Sequence, residues 1–273
     1  MACCASIRWS STLVDKPRGI ILDLDGTIYR GARIIPGARE TIERMRKGAH
    51  PLIFATNAIE SVAEHVEKLA GLGIAVRPDA IINSTFVLIQ RLEREMPRAR
   101  VFCLGDPPLI EQLAPHFEFS EDPNAIDVVI ASTDRSFDFR KLSIGFHALR
   151  KGARFWATNA EPTWQQEDDE IPDAGAIIGA LEGCSGRKLE LIAGKPSTFM
   201  GEIALERLNQ RAHECLLIGD NLTTDIAMGQ RVGIPTVLVM TGLSKRADLE
   251  RAPVKPDYVL ESIADVPRLL EDL

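Results

Sequence analysis

The sequence predicts an α/β protein in which a doubly wound, mostly parallel sheet is interrupted by a second, smaller α/β domain. Short apolar runs alternate with amphipathic helical stretches along the chain, and glycine or proline separates many of them. Strands that alternate with helices need right-handed crossovers, which make the strands parallel and cover both faces of the sheet. At 273 residues the chain is long enough for two domains.

The elements of the predicted sheet lie in two stretches of the chain. In the first, a strand at 19–22 precedes a helix from Pro36 to Gly48, a strand at 51–55 and a helix that ends by Gly73. Proline early and glycine late are typical of helix ends. The second stretch contributes strands at 191–193, 215–218, 235–240 and 258–260, and helices after GKPS, at 226–231 and from Ser262.

A second alternating block lies between about Pro78 and Arg187, with predicted strands in VFCLG, IDVVIA and ARFWAT and helices around Val87, Leu142 and Ile178. It is long enough to bury a core of its own. Residues suited to one site lie on both sides of this block, which indicates an insertion. We predict a core domain of 19–78 and 188–273, an inserted domain of 79–187 and a flexible N-terminal extension of 1–18.

Composition and charge exclude several classes of protein. The chain is 45% hydrophobic and 26% charged, as is typical of globular proteins and not of disordered ones. The formal net charge of −7 argues against a general nucleic-acid or anionic-membrane binder. No apolar run approaches the roughly 18 residues of a membrane span, and the N-terminal segment lacks the apolar stretch of a signal peptide. Five cysteines without a CxxC pair fit a reducing compartment, so we expect a cytoplasmic protein.

Two acids end the first predicted strand, in the run ILDLDGT. Asp23 and Asp25 are two residues apart, so both can face the same side, and Gly26 permits a sharp turn. In open α/β sheets ligands bind beyond the carboxyl ends of the strands. Neighbouring carboxylates repel unless a cation or a shared proton compensates, so the pair indicates a Mg²⁺ site. An Asx turn at a strand end is the alternative.

Another acid, Asp220, ends the strand in CLLIGD, and Asp225 follows five positions later in the first turn of the next predicted helix. An acid at this place could orient a lysine or a water on the metal. It could equally favour the positive end of the helix dipole without touching a ligand. The sequence leaves both interpretations of Asp225 open.

Two further motifs suit phosphate. Thr56 and Asn57 follow the strand LIFA and offer a hydroxyl and backbone N–H groups at a helix start, although helix capping is the alternative. Lys195, between glycine and proline, could neutralise phosphate oxygens, although most lysines are solvated. Together the four motifs supply a nucleophile, an acid, cation ligands, a hydroxyl and a lysine, each after a strand.

The combination and order of these motifs resemble the haloacid dehalogenase-like hydrolase superfamily: DLDGT from Asp23, Thr56-Asn57, Lys195, and GDNLTTD with Asp220. The position of the insert resembles the cap of class IIA, which holds nitrophenyl-phosphatases, phosphoglycolate phosphatases and nucleotide or sugar phosphatases. The resemblance covers nearly everything after about residue 18, including ATNAEP, and implies a Rossmann-like core with an inserted cap. Ala58 departs from the pattern, because many relatives carry Asn or Ser there.

This resemblance implies a Mg²⁺-dependent phosphatase that works through an aspartyl-phosphate. Asp23 would attack phosphorus, while Asp25 would protonate the leaving oxygen and then deprotonate the water that hydrolyses the intermediate. The resemblance also implies that Asp23, the Asp25 carbonyl and Asp220 bind Mg²⁺. Thr56, the Asn57 backbone and Lys195 would bind the phosphoryl oxygens. Asp225 would support Lys195 or a water on the metal. Relatives often pair through their caps, which implies a homodimer.

Substrate choice is expected to lie with the inserted domain. The run TWQQEDDE at 163–170 is strongly acidic, so if it faces the site it would repel a substrate carboxylate, and Trp164 could stack on a sugar or base. We therefore rank sugar phosphates and nucleoside monophosphates above phosphoglycolate, with Asn159, Asp134 and Arg135 as further candidates; a solvated loop is the alternative. A phosphotransferase or mutase and a non-catalytic phosphate-binding module are the rival functions.

Overall fold

The computed structural model describes residues 7–8, 16–166 and 169–273. The strands are β1 (Ile7–Arg8), β2 (Gly19–Leu22), β3 (Tyr29–Arg30), β4 (Arg33–Ile34), β5 (Leu52–Thr56), β6 (Ile81–Asn83), β7 (Arg100–Leu104), β8 (Glu118–Phe119), β9 (Val128–Ala131), β10 (Arg154–Ala157), β11 (Thr163–Gln166), β12 (Asp169–Pro172), β13 (Leu191–Ile192), β14 (Cys215–Gly219), β15 (Thr236–Val239) and β16 (Tyr258–Leu260). The α-helices are α1 (Ala38–Lys47), α2 (Val62–Gly71), α3 (Ser84–Glu95), α4 (Pro107–Leu113), α5 (Phe139–Arg150), α6 (Ala174–Ser185), α7 (Thr198–Leu208), α8 (Ala227–Val232), α9 (Arg246–Arg251) and α10 (Val266–Asp272).

The chain divides into two compact units. The first, which we call the core unit, comprises residues 1–56, 65–82 and 195–273, and the second, the inserted unit, comprises 57–64 and 83–194. Each unit contains a sheet of its own. Among the described residues, none of the helices is both long and apolar enough to cross a membrane.

The core unit is built on a seven-stranded sheet in the order β1-β16-β15-β14-β2-β5-β6. The neighbours from β16 to β5 are parallel, and β1 is antiparallel to β16. Strands β2 and β14 are buried along their whole length, which explains why their sequences GIIL and CLLIG are continuously apolar. The chain leaves β2 toward β5 and returns to β14 on its other side, so the strand order reverses between β2 and β14. Ligand sites in open α/β sheets lie at such a switch point.

The inserted unit contains a five-stranded, fully parallel sheet in the order β13-β10-β9-β7-β8. Helices α5 and α6 pack over one face, and their apolar residues join those of the strands in one buried cluster that includes Phe102, Phe155 and Leu181. Strands β11 and β12 form a separate antiparallel hairpin. The inserted unit is therefore an α/β domain with its own hydrophobic core, as its alternating sequence predicts.

The predicted order of strands and helices is confirmed, but the chain changes units at other positions than predicted. The strand at Leu191–Ile192 pairs with β10, so the inserted unit continues to Gly194 instead of ending at Arg187. Its other part starts at Asn83, and it also includes 57–64. Apolar character alone does not tell which sheet a two-residue strand will join.

The predicted flexible extension of 1–18 lies mostly outside the described residues. Ile7 and Arg8, however, pair with Val259 and Tyr258 at the edge of the core sheet. An edge strand presents unpaired backbone groups, and β1 satisfies those of β16. This part of the extension therefore belongs to the sheet.

Candidate active site

Asp23 follows β2 directly, at the carboxyl edge of the core sheet. Its backbone N–H donates to the carbonyl of Ile218 on β14 at 2.9 Å, which continues the ladder between the two central strands. The residue is buried. Burial raises the pKa of Asp23 well above its usual value, and Asp225 and Asp220 raise it further, whereas Lys195 lowers it.

Lys195 lies between two of these carboxylates. Its Nζ donates to Oδ1 of Asp23 and to Oδ1 of Asp225, the latter at 2.7 Å. The lysine side chain is 3% exposed, so both ion pairs are shielded from water. Burial alone would lower the pKa of Lys195, but the charges of Asp225 and Asp23 outweigh it and raise that pKa. The two carboxylates therefore favour the charged form of the lysine.

Asp220 follows β14 and lies in a cradle formed by two glycines. A Cβ at Gly242 would lie 1.7 Å from Oδ2 of Asp220, and a Cβ at Gly26 would lie 2.4 Å from the same atom. The Leu243 N–H donates to this oxygen at 2.6 Å. Burial and the nearby charge of Asp225 raise the pKa of Asp220 to about 7. The backbone thus approaches the carboxylate closely, which only glycine allows here.

Asp225 lies in a π-helical turn at Leu222–Ile226 that leads into α8. It is fully buried, and its Oδ2 accepts from the Asn221 N–H at 3.1 Å. A Cβ at Gly219 would lie 2.2 Å from Cγ of Asp225, so that glycine also makes room for a carboxylate. Of the two interpretations of Asp225, the contact with Lys195 favours the one in which it orients a lysine.

These three carboxylates fit a small, hard cation. Asp23, Asp220 and Asp225 each offer an oxygen within 4.8 Å of the others, and all three residues are buried. Carboxylate oxygens are the ligands that Mg²⁺ prefers in proteins. A divalent cation would also offset the mutual repulsion that raises the pKa values of Asp23 and Asp220.

Asp25 begins a tight turn that continues into the hairpin of β3 and β4. Its backbone forms a bridge with Tyr29, and Gly26 has a φ of 79°, a left-handed conformation that favours glycine. The Thr241 hydroxyl donates to the Gly26 carbonyl at 2.6 Å and ties this turn to the loop after β15. Asp25 is half-buried, in contrast to Asp23.

Thr56 is the last residue of β5, the neighbour of β2, and Asn57 follows it. Thr56 is buried at the carboxyl end of that strand, in the core unit. Asn57 is the first residue of the inserted unit, where its Nδ2 donates to Oε1 of Glu161 at 2.8 Å. The Ser84 hydroxyl donates to the Asn57 carbonyl at 2.7 Å. The two residues of this motif are therefore held by different units.

The candidate residues of the inserted unit come from different elements. Asn159 follows β10, is buried, and donates from Nδ2 to Oδ2 of Asp173 at 2.7 Å. Trp164 lies on β11 opposite Ile171 of β12, in the hairpin that carries the acidic run. Glu167 and Asp168 of that run lie outside the described residues.

Asp134 and Arg135 belong to ion pairs within the inserted unit. The Lys141 Nζ donates to both oxygens of Asp134, at 2.7 and 2.9 Å. Asp106 accepts from the backbone and the Nε of Arg135. Both residues of this dipeptide therefore form salt bridges with other residues of the inserted unit.

Two residues of the site environment were missed by the sequence reasoning. Gly242 contacts Asp220 from the loop after β15, and Glu161 contacts Asn57. Gly242 could have been found from the sequence, because it is a glycine just beyond the end of a predicted strand. For Glu161 the only signal was its place in the run ATNAEP after β10, which does not by itself indicate a partner 104 positions away.

The fold and site define an α/β protein whose buried carboxylates and lysine meet at the carboxyl edge of a parallel sheet. Family profiles match in two places, for a haloacid dehalogenase-like hydrolase over residues 20–116 and for a HAD-hydrolase-like protein over 192–266. The chain is 36% identical over 259 residues to the sugar-phosphatase AraL of Bacillus subtilis, a match that covers 94% of each chain. The chain belongs to the haloacid dehalogenase-like hydrolases, and the resemblance stated from its motifs is confirmed.

Solved structures of similar proteins show the same architecture. The 4-nitrophenylphosphatase of Thermotoga maritima superposes with a TM-score of 0.87 at 31% identity, covering 93% of this chain and 98% of that one. The p-nitrophenyl phosphatase from Archaeoglobus fulgidus gives a TM-score of 0.86 at 32% identity, covering 95% and 100%. The predicted fold class, a Rossmann-like core with an inserted α/β cap domain, is thereby confirmed.

Proposed function

We propose that this chain is a Mg²⁺-dependent phosphatase that hydrolyses small phosphate monoesters through an aspartyl-phosphate on Asp23. The observation that carries the proposal is the buried arrangement in which Lys195 bridges Asp23 and Asp225, with an oxygen of Asp220 within 4.8 Å of theirs. A carboxylate nucleophile next to a fixed cation suits phosphoryl transfer, because the charge on the transferred group must be stabilised. The similarity to phosphatases supports the same reaction class.

In the proposed reaction an oxygen of Asp23 forms a bond to phosphorus while the bond from phosphorus to the leaving oxygen breaks. Asp25 donates a proton to that oxygen, and the alcohol departs. Asp25 then accepts a proton from a water molecule whose oxygen attacks phosphorus, which releases inorganic phosphate and restores the Asp23 carboxylate. Half-burial of Asp25 fits a group that exchanges its proton between substrate and water.

The other residues of the motifs bind and orient. Lys195, the Thr56 hydroxyl and the Asn57 N–H would contact phosphoryl oxygens, and Asp225 holds the lysine in place. Asp23 and Asp220, with the Asp25 carbonyl, would hold Mg²⁺, which supplies positive charge to the phosphoryl oxygens when bound. Because Lys195 lowers the pKa of Asp23, it also favours the charged carboxylate of Asp23, which is the form that attacks phosphorus.

For the substrate we propose sugar phosphates or nucleoside monophosphates before phosphoglycolate. Asp169 and Glu170 of β12 are exposed, so if this hairpin faces the substrate they would repel a second carboxylate, and Trp164 on β11 would offer its ring to a sugar or base. The similarity to a sugar-phosphatase points the same way. We place the enzyme in the cytoplasm and expect a homodimer that forms through the inserted unit.

The first experiment is phosphate release from p-nitrophenyl phosphate, with and without Mg²⁺, for the wild type, Asp23→Asn and the matched control Asp79→Asn. Asp79 is exposed and pairs with Arg77, so its variant should retain activity. We expect Mg²⁺-dependent turnover that is lost only in Asp23→Asn. Turnover that survives in Asp23→Asn would refute the assignment of Asp23 as the nucleophile. Turnover that does not depend on Mg²⁺ would refute the proposed requirement for this metal.

A panel of a sugar phosphate, a nucleoside monophosphate and phosphoglycolate then tests the substrate class. A rate for phosphoglycolate about tenfold above the other two, a difference of about 1.4 kcal/mol in transition-state binding, would overturn the ranking. Product analysis with an added sugar acceptor separates hydrolysis from transfer. Free phosphate as the product supports the phosphatase, and a phosphorylated acceptor supports a transferase.

A further inference from the structure

Two of the points at which the chain passes between the units lie side by side within the inserted unit. Asn57 directly follows Thr56, and Gly194 directly precedes Lys195. A Cβ at Gly194 would lie only 2.3 Å from Oδ1 of Asn57, so the Asn57 amide packs against the Gly194 backbone. The Gly194 N–H donates to the Thr158 carbonyl at 2.7 Å. Asn57 and Gly194, which are the sequence neighbours of Thr56 and Lys195, are thus in contact through the Asn57 side chain.

Glu161 holds that side chain from the opposite direction. Its Oε1 accepts from Nδ2 of Asn57 at 2.8 Å. The Glu161 backbone is fixed in turn, because its carbonyl accepts from the Gly175 N–H at 2.9 Å and a Cβ at Gly175 would lie 2.8 Å from that carbonyl oxygen. The Asn57 backbone is held separately by the Ser84 hydroxyl. The Asn57 amide therefore has one defined orientation, between Glu161 and Gly194.

The Glu161 carboxylate is only partly satisfied by these contacts. Its Oε2 is buried and, within the part of the chain that the structure describes, has no partner at hydrogen-bond distance. Burial raises the pKa of Glu161, the amides of Asn57 and Asn159 lower it, and the charge of Asp173 raises it. A buried carboxylate with an unpaired oxygen destabilises the folded state. Stability therefore does not explain an acid at this position.

We propose that Glu161 is a positioning residue for phosphate binding: it holds the Asn57 amide against Gly194 and so fixes the Asn57 N–H for the phosphoryl group. The inference rests on the proposed function, in which that N–H contacts a phosphoryl oxygen. Glu161 thereby joins the residues on which phosphate binding depends, although it acts through Asn57 and touches no reacting atom.

The test compares Glu161→Ala, Glu161→Gln, Asn57→Ala and the double variant Glu161→Ala/Asn57→Ala. Glu182→Ala is the matched control, since Glu182 is a carboxylate of the same unit that pairs with the exposed Lys188. The readouts are kcat and KM with p-nitrophenyl phosphate, the dissociation constant of inorganic phosphate in the presence of Mg²⁺, and the melting temperature.

We expect Glu161→Ala to weaken phosphate binding and raise KM by about tenfold, the effect of misplacing one hydrogen bond, without lowering the melting temperature. Glu161→Gln should restore most of the binding, because the Gln oxygen can still accept from Asn57. Glu182→Ala should match the wild type in phosphate binding, kcat and KM. The double variant should bind phosphate no more weakly than Asn57→Ala, since Glu161 acts through Asn57.

Three results would overturn the inference: unchanged phosphate binding in Glu161→Ala, additive losses in the double variant, or a lower melting temperature of Glu161→Ala that fully accounts for its loss of activity. If Glu161→Ala does not fold, Glu161→Gln decides, because a role in positioning predicts near wild-type binding. Failure of the proposed function is distinguishable, since it appears as absent turnover in the wild type, whereas phosphate binding reports on Asn57 without turnover.

Discussion

At the scale of single residues, the site depends on the balance among three buried carboxylates and one lysine. Burial raises the pKa values of Asp23 and Asp220, the charge of Asp225 raises both further, and Lys195 lowers both. A buried ion pair stabilises little overall, but loss of one partner leaves an uncompensated charge. The lysine is therefore needed for the folded site as well as for phosphate.

Replacement of Lys195 tests this balance. Lys195→Met should lower the free energy of unfolding by about 3–5 kcal/mol, because it leaves Asp23 and Asp225 buried without their cation. It should also reduce kcat by about 10²–10³-fold, as is typical when one group that stabilises transition-state charge is removed. Urea unfolding and phosphate release measure the two effects. The control Lys188→Met, whose lysine is 82% exposed, should change neither; wild-type kcat in Lys195→Met would contradict the assignment.

The raised pKa of Asp220 predicts how stability depends on pH and Mg²⁺. Between the usual carboxyl pKa of about 4 and its folded value of about 7, the metal-free protein binds more protons when folded than when unfolded. The free energy of unfolding therefore falls as the pH rises through this window. Mg²⁺ competes with the proton on Asp220, so it should stabilise the folded protein more at high pH, where that proton is already lost. Mg²⁺ should therefore raise the melting temperature more at about pH 8 than at about pH 5.

Asp220→Asn is the control for this pH dependence. It should lose most of the difference between the two pH values, because the amide neither titrates in this range nor binds Mg²⁺ as strongly. An equal Mg²⁺ effect at both pH values in the wild type would show that the carboxylate cluster does not bind the cation.

At the scale of elements, glycines let a helix approach the central strands closely. A Cβ at Gly229 of α8 would lie 2.2 Å from Cγ2 of Thr236 on β15, 3.0 Å from the Ile234 carbonyl oxygen and 3.2 Å from a methyl of Leu217 on β14. The π-helical turn that carries Asp225 runs directly into this helix. The contact of α8 with the sheet therefore places that turn, and a larger side chain would push the two apart.

Gly229→Ala should lower the free energy of unfolding by about 1–3 kcal/mol, because the new methyl group overpacks a contact that includes backbone. Gly179→Ala in α6 is the matched control, since apart from its chain neighbours and the adjacent helix backbone nothing lies within 4 Å of the position of its Cβ. There the helix propensity of alanine should stabilise the protein by about 0.5–1 kcal/mol. Equal effects of the two substitutions in urea unfolding would show that the α8 contact tolerates a methyl group.

At the scale of the whole molecule, the chain forms two units, and each contains a mostly or fully parallel sheet. The groups proposed to hold Mg²⁺, which are Asp23, Asp220 and the Asp25 carbonyl, all belong to the core unit, as does Asp225. The strands β7, β9 and β10 and the helices that cover them belong to the inserted unit. The carboxylates through which a cation would bind therefore all lie in one unit.

Hydrogen exchange should reveal this division. Mg²⁺ should slow amide exchange in peptides from β2 and β14, whose ends carry the carboxylates, and leave peptides from β7 and β9 nearly unchanged. Asp23→Asn should reduce the effect on β2 and β14. Equal protection of both units would mean that they open as one cooperative body.

Local sequence patterns alone determined the elements and the motifs. Strand β2 and the acid that follows it could be predicted because continuous apolar runs, glycine turns and strand-end acids are properties of neighbouring residues. The tertiary structure decided which side chains meet. Lys195 reaches Asp23 across 172 positions, β13 joins the sheet of the inserted unit, and Glu161 holds Asn57. Such contacts depend on strand order and on where the chain passes between units, which no local pattern contains.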